Sequence, residues 1–190
     1  EALRASSKGF LLQVEGGRVD HAAHDNDAAT LLWEQLDFDE AIETVLRFVE
    51  GRPETLVVAT TDHGNSNPGM SGEPAGLGRS ANGFSVLARA KRSFSEIMPR
   101  IRAGHKSGSA VRDLIRESLG VALSEEEAEV VRKAASGAKG LSVNRSLDKL
   151  AGVLGQAAGN YNGVGWTCTD HTSDYAVLSA LGPGSERFAG

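Results

Sequence analysis

The stretch 14–27, VEGGRVDHAAHDND, packs one Glu, three Asp and two His into fourteen positions. It runs straight on from the apolar stretch Phe10 to Val14, and "GFLLQVEG" at 9–16 reads as a short buried strand. A buried strand that ends in carboxylates and imidazoles decides the fold reading. Open α/β sheets gather their ligands beyond the carboxyl ends of their strands.

The same order recurs downstream. "TLVVAT" at 55–60 is short, apolar and β-branched, so it reads as a buried parallel strand, and Asp62-His63 follow it. Between the two, residues 26–50 read as a long amphipathic helix. Leu31, Leu32, Leu36, Ile42, Val45, Leu46 and Val49 recur near helical spacing, and Gly51 and Pro53 end it. The glycine-rich segment 64–83 reads as a loop, and "FSVLARA" at 84–90 as a strand. Helices are expected at Ser107–Leu119, Ser124–Ala135 and Ser146–Ala158, the second opened by Ser124 and Glu127 at capping-box spacing. Residues 159–170 look loop-like, and "YAVLSALG" at 175–182 reads as another strand. Strands alternating with helices imply an α/β fold: a mostly parallel sheet with helices on both faces, and 91–158 a helical insertion or cap. No internal repeat or low-complexity tract interrupts this pattern.

The bulk numbers narrow the function. The chain has 190 residues, enough for one domain with a sizeable core. Its formal net charge of -5 argues against nucleic acid as the main partner, which calls for a basic face. A single cysteine, Cys168, excludes an intrachain disulfide. No run is long and apolar enough to span a bilayer, and no secretory signal is visible. The start, EALRASSKGF, looks like the tail of a helix, and LGPGSERFAG follows an apolar run. Both ends therefore read as cut, and the chain as a segment of a longer protein.

Three of the five histidines lie in the two acidic clusters: His21 and His24 in the first, His63 in the second. His171 stands beside Asp170 in a late loop, and His105 looks incidental. Asp20 and His24 are four apart, so on a helix they share a face with Cβ atoms about 5–6 Å apart. Zinc accepts that donor pair, and a catalytic zinc needs a third ligand, for which His171 is the obvious donor. Asp62 and His63 sit where the backbone leaves a strand and pleat alternation no longer separates neighbours. A second ion there would make a two-metal site of about 3.5–4 Å spacing. Glu15, before Gly16-Gly17, suits magnesium, an oxygen-seeking ion that keeps water ligands. His21 competes with His24 through an H-x-x-H spacing, which spacing alone does not resolve. Taken singly, an Asp-x-x-x-His pair, a DHG or a late histidine is most often a solvated group. The weight lies in two such clusters at strand ends together with a spare histidine.

"GFLLQVEGGRVDHAAHDNDA", "TLVVATTDHGN" and "WTCTDHTSDYAVLSALGPG" together resemble the alkaline phosphatase family. The resemblance covers most of 8–90 and 160–190, and is weaker in the helical region between. It implies a phosphate monoester hydrolase with two zinc ions, magnesium and a phosphoserine intermediate. Asp20, His24 and His171 then look like ligands of the first zinc, Asp62 and His63 of the second, and Glu15 of magnesium. His21 falls where relatives place a Lys or His near the phosphate, so it is carried as substrate-binding. The family's nucleophilic serine, its bridging Asp and its phosphate-clamping Arg come from the amino-terminal part of that fold, and no segment here matches them. Ser66 and Ser71 lie in the glycine-rich stretch, and nothing in the motif makes either a nucleophile. The resemblance further implies a periplasmic or secreted home and is compatible with a homodimer. Asp and His ligands would also take cobalt or manganese.

Two other readings compete. TTDHGN also occurs in cofactor-independent phosphoglycerate mutases of the same superfamily, which return the phosphoryl group to the substrate, although EGGRVDHAAH argues against that reading. The absent nucleophile motivates the other: a metal-binding fragment without activity of its own. "NRS" at 144–146 matches a glycosylation sequon, a pattern common by chance.

Overall fold

The computed structural model describes residue 3 and residues 6–71, 78–104 and 107–189, with the side chains of 78–81 left aside. His105, much of the opening EALRA and part of the 64–83 loop lie outside the described residues.

The opening motif builds a helix and a turn. Helix α1 (Gly17–His24) buries Ala22 and Ala23 and leaves Asp20 and His24 half-buried on one side. Asn26 then enters the left-handed region (φ +52), and its side-chain amide donates to the carbonyls of Ala23 (3.1 Å) and Cys168 (2.9 Å). Asn tolerates that conformation because its short polar side chain bonds locally. Helix α7 (Leu150–Asn162) approaches this turn so closely that a Cβ at Gly155 would lie 2.6 Å from Asn26 Cβ. Only glycine fits there.

Asp27 starts the long helix α2 (Ala28–Val49). One carboxylate oxygen accepts from the Thr30 amide (3.1 Å); the other accepts from the Thr30 hydroxyl (2.6 Å) and from the Phe94 amide (2.7 Å). The cap of α2 is thereby also the anchor of helix α4 (Phe94–Gly104). Burial raises the Asp27 pKa, opposed by the hydrogen bonds from Thr30 and Phe94. Asp27→Ala removes a cap worth about 1 kcal/mol and strands a buried Phe94 N–H worth about 1–3, so urea unfolding should show a loss of about 2–4 kcal/mol. A pKa raised on folding favours the folded state when the group is protonated. That contribution is full below the unfolded value near 3.8 and fades as pH rises through the folded value. The wild-type advantage over Asp27→Ala should therefore widen as pH falls from neutrality toward that value. A loss below about 1 kcal/mol at pH 7 would contradict the double role.

Helices α4, α5 (Gly108–Leu119), α6 (Glu125–Ala135) and α7 pack around one core in which Ile97, Val111, Ile115, Val131 and Leu154 are fully buried. The expected capping box is present, and a further cap precedes it. Ser107 opens α5, and Ser124 and Glu127 form a complete capping box on α6. Glu127 also accepts from Tyr161 Oη and Asn160 Nδ2, both at 2.7 Å, which ties α6 to α7. The last expected helix starts and ends four residues late, after a short 3₁₀ turn at Arg145–Leu147. Among the described residues no helix is long and apolar enough to cross a membrane.

The strands depart from expectation. β1 (Val57–Thr60) pairs with β6 (Leu178–Leu181), β2 (Gly64–Asn65) with β5 (His171–Thr172), and β3 (Gly69–Met70) with β4 (Val164–Gly165). All three pairs among the described residues are antiparallel and small, and none shows the parallel part of the expected sheet; the helix-rich chain with small sheets is consistent with the expected α/β class. β1 accordingly alternates half-buried and exposed residues instead of being buried on both faces. Segment 9–16 forms no strand among the described residues, and residues 9–15 are exposed where a buried strand is expected. Leu11 is 96% exposed, so no described element packs on its side chain. Residues 84–87 belong to helix α3 (Gly78–Leu87), not to a strand. A short apolar run has no period that separates a strand from a buried helix end. Leu87 packs against Ala28, Ala29 and Val164, and a Cβ at Gly83 would meet the Asn162 carbonyl at 2.4 Å.

Candidate metal centre

α1, β2 and β5 converge on one spot. A carboxylate oxygen of Asp20 and a ring nitrogen from each of His24 and His171 lie within 4.8 Å of one another. Asp20 Oδ2 is 3.6 Å from His24 Nε2, across one turn of α1. The chain brings His171 to them by pairing β5 with β2, residue 171 opposite residue 65. Gly64 permits this pairing: a Cβ there would fall 2.6 Å from Thr172 Oγ1 and 2.9 Å from Asp174 Oδ2.

The second shell sets the tautomer of His24. Its Nδ1 is 2.8 Å from the buried Thr169 carbonyl. A carbonyl can only accept, so Nδ1 carries the proton and Nε2 keeps its lone pair toward Asp20 and His171. His63 repeats the pattern, with Nδ1 3.1 Å from the Gly64 carbonyl and Nε2 3.5 Å from Asp62 Oδ2. The His171 ring bridges the clusters: it stacks on His63 at 3.6 Å between centroids and stands 5.1 Å from His24. Two imidazoles and one carboxylate are the donor types and number that a catalytic zinc takes from its protein. Asp62 and His63 lie beside this group and form no three-donor group of their own among the described residues.

His21 does not join the cluster. One residue past Asp20, it is turned about 100° around the helix and lines a cleft of about 340 Å³ with Arg18, His24, Asp25, Ser93 and Ser95. The geometry resolves the competition between the two histidines of α1 in favour of His24. Burial, then the charge of Asp27, raises the Asp25 pKa at the rim of this cleft. Glu15 is exposed in the turn before α1, and nothing among the described residues brings it to the other donors.

Asn65 is not among the residues expected at the site, and Ser66 is weighed from the sequence only as a nucleophile. Asn65 Nδ2 donates to Asp20 Oδ1 (2.5 Å) and to the Asp20 carbonyl (3.3 Å). Ser66, fully buried, donates its hydroxyl to Asn65 Oδ1 (2.8 Å). The available signal was that both follow TDHG directly.

Comparison with known proteins agrees with this arrangement. The family model for alkaline phosphatase matches residues 1–190. The chain is 31% identical to alkaline phosphatase 4 of Bacillus subtilis (strain 168) over 192 residues, covering all of this chain and 38% of that protein. It superposes on the crystal structure of Thermus thermophilus alkaline phosphatase with a TM-score of 0.84 and 31% identity, over 95% of this chain and 40% of that one. The cold-active enzyme of a psychrophilic Shewanella gives a TM-score of 0.69 at 26% identity, over 96% and 42%. The chain thus spans about two fifths of the relatives it matches. A helix carrying Asp20 and His24, a late strand carrying His171 and a stacked His63, within a chain matched along its whole length, place this protein in the alkaline phosphatase family.

Proposed function

We propose that this chain contributes the larger part of the metal centre of a phosphate monoester hydrolase. The observation that carries the reading is the convergence of Asp20, His24 and His171 within 4.8 Å. In this reading those three residues hold the first zinc, Asp62 and His63 contribute to the second, and Glu15 contributes to a magnesium site. When bound, such ions supply Lewis-acid stabilisation of the charge that develops on phosphoryl oxygens.

The chain's own residues do the positioning. Thr169 and Gly64 hold the two imidazoles in the tautomer that leaves Nε2 available. His21, facing the polar cleft beside His24, binds a phosphate oxygen directly or through water. Ser93 and Ser95 line the same cleft and offer hydroxyls to the ester beside His21. The attacking serine comes from the three fifths of the fold that this chain does not span. Ser66 is unsuited, being fully buried with its hydroxyl committed to Asn65. We carry the helices of 91–158 as an insertion or cap over the α/β portion, a homodimer as a compatible assembly, and the periplasm or the exterior as the location.

The membership in the alkaline phosphatase family favours hydrolysis over the phosphoglycerate mutase reading. The 190 residues alone are expected to bind metal without turnover. The test is p-nitrophenyl phosphate hydrolysis by this chain and by a protein that joins it to the remaining part of the fold. Turnover only in the joined protein supports the proposal. Isomerisation of phosphoglycerate without phosphate release would instead favour the mutase.

A further inference from the structure

Two features have no role assigned so far: the exposed apolar segment 10–14, and half-buried Asn65 with buried Ser66. The second carries furthest. Asp20 could present either carboxylate oxygen, or both, to an ion. Asn65 Nδ2 occupies Oδ1 at 2.5 Å and also reaches the Asp20 carbonyl at 3.3 Å, leaving Oδ2 toward His24 and His171. That selection works only if the amide faces Asp20 with its nitrogen, since an amide oxygen there would meet a carboxylate. Ser66 enforces the orientation, because its hydroxyl donates to Asn65 Oδ1 at 2.8 Å.

Ser66 is itself immobilised. It is fully buried, with φ at +55, a region that non-glycine residues seldom occupy. Its N–H donates to the Asp170 carbonyl (2.9 Å), and its carbonyl accepts from the Thr167 amide (3.1 Å). Those partners belong to the segment that delivers His171, and Asn65 pairs directly with His171 across β2–β5. One node therefore connects the carboxylate ligand on α1 with the histidine ligand on β5.

We infer that Asn65 is a positioning residue for Asp20, oriented by Ser66, and that the pair turns Oδ2 of Asp20 toward His24 and His171. The inference rests on the metal reading proposed above. The test is zinc affinity of the 190-residue chain, measured by competition with a chromophoric chelator, with the cobalt-loaded absorption spectrum and the melting temperature of the metal-free chain alongside. Asn65→Ala should weaken zinc about 10–100-fold, the usual cost of losing a partner behind a metal ligand, and alter the cobalt spectrum. Ser66→Ala removes the orienting bond and should weaken zinc about two- to tenfold, with the metal-free melting temperature lowered by no more than a few degrees. Wild-type affinity in both variants overturns the inference while leaving the metal reading intact. So does a loss confined to Asn65→Ala that comes with collapse of the metal-free fold. A wild-type chain that holds no zinc overturns both.

Discussion

Asp62→Ala, in a protein that joins this chain to the rest of an alkaline phosphatase fold, is expected to cut p-nitrophenyl phosphate turnover on the order of 10³-fold, the cost of losing a preorganised charge at a reacting phosphoryl group. Asp62 follows β1, 3.5 Å from the Nε2 of His63, whose ring stacks on His171. Its side chain is 87% exposed, so its removal opens no cavity. The variant should therefore fold and melt like wild type, which separates the effect from simple destabilisation. Near-normal turnover would remove Asp62 from the centre, and the second zinc assignment with it.

His24→Ala acts on the other half. Structural zinc sites hold about 10–16 kcal/mol across four ligands, so one ligand in such a set accounts for about 2.5–4 kcal/mol. Zinc affinity of this chain should fall about 10²–10³-fold, read by competition with a chelator. His24 is the better probe of the three donors because its geometry is the most constrained: Nδ1 is fixed by Thr169 and Nε2 faces Asp20. His21→Ala is the matched control. It removes an imidazole from the same helix without touching the cluster, so it should leave zinc affinity within about twofold of wild type. Equal losses in the two variants would mean that zinc is held by exposed histidines in general.

Local order was legible in the sequence and non-local order was not. The apolar period of α2 and the capping-box spacing of Ser124 and Glu127 announce their helices because the forces involved act within one or two turns. β1 and β6 were visible as β-rich runs, but their antiparallel partnership was not, since pairing depends on residues more than a hundred positions apart. Segment 10–14 shows the same limit from the other side: an apolar run becomes a strand only when a neighbour supplies the ladder. At the site, the four-residue spacing of Asp20 and His24 predicted a shared helix face. His171 was reachable as a spare histidine near an acid, and its assignment leaned on family resemblance. Asn65 escaped because its amide meets Asp20 across 45 residues, and no spacing rule covers that contact.

The account rests centrally on Asp20, His24 and His171 forming a zinc site within this chain. The measurement that tests it most directly is zinc content after equilibrium dialysis of the wild-type 190-residue chain beside Asp20→Ala. About one tightly held zinc per wild-type chain, lost in Asp20→Ala, is the expected result for a three-ligand site of this composition. A wild-type chain that emerges without zinc, or an Asp20→Ala chain that retains it, would contradict the account.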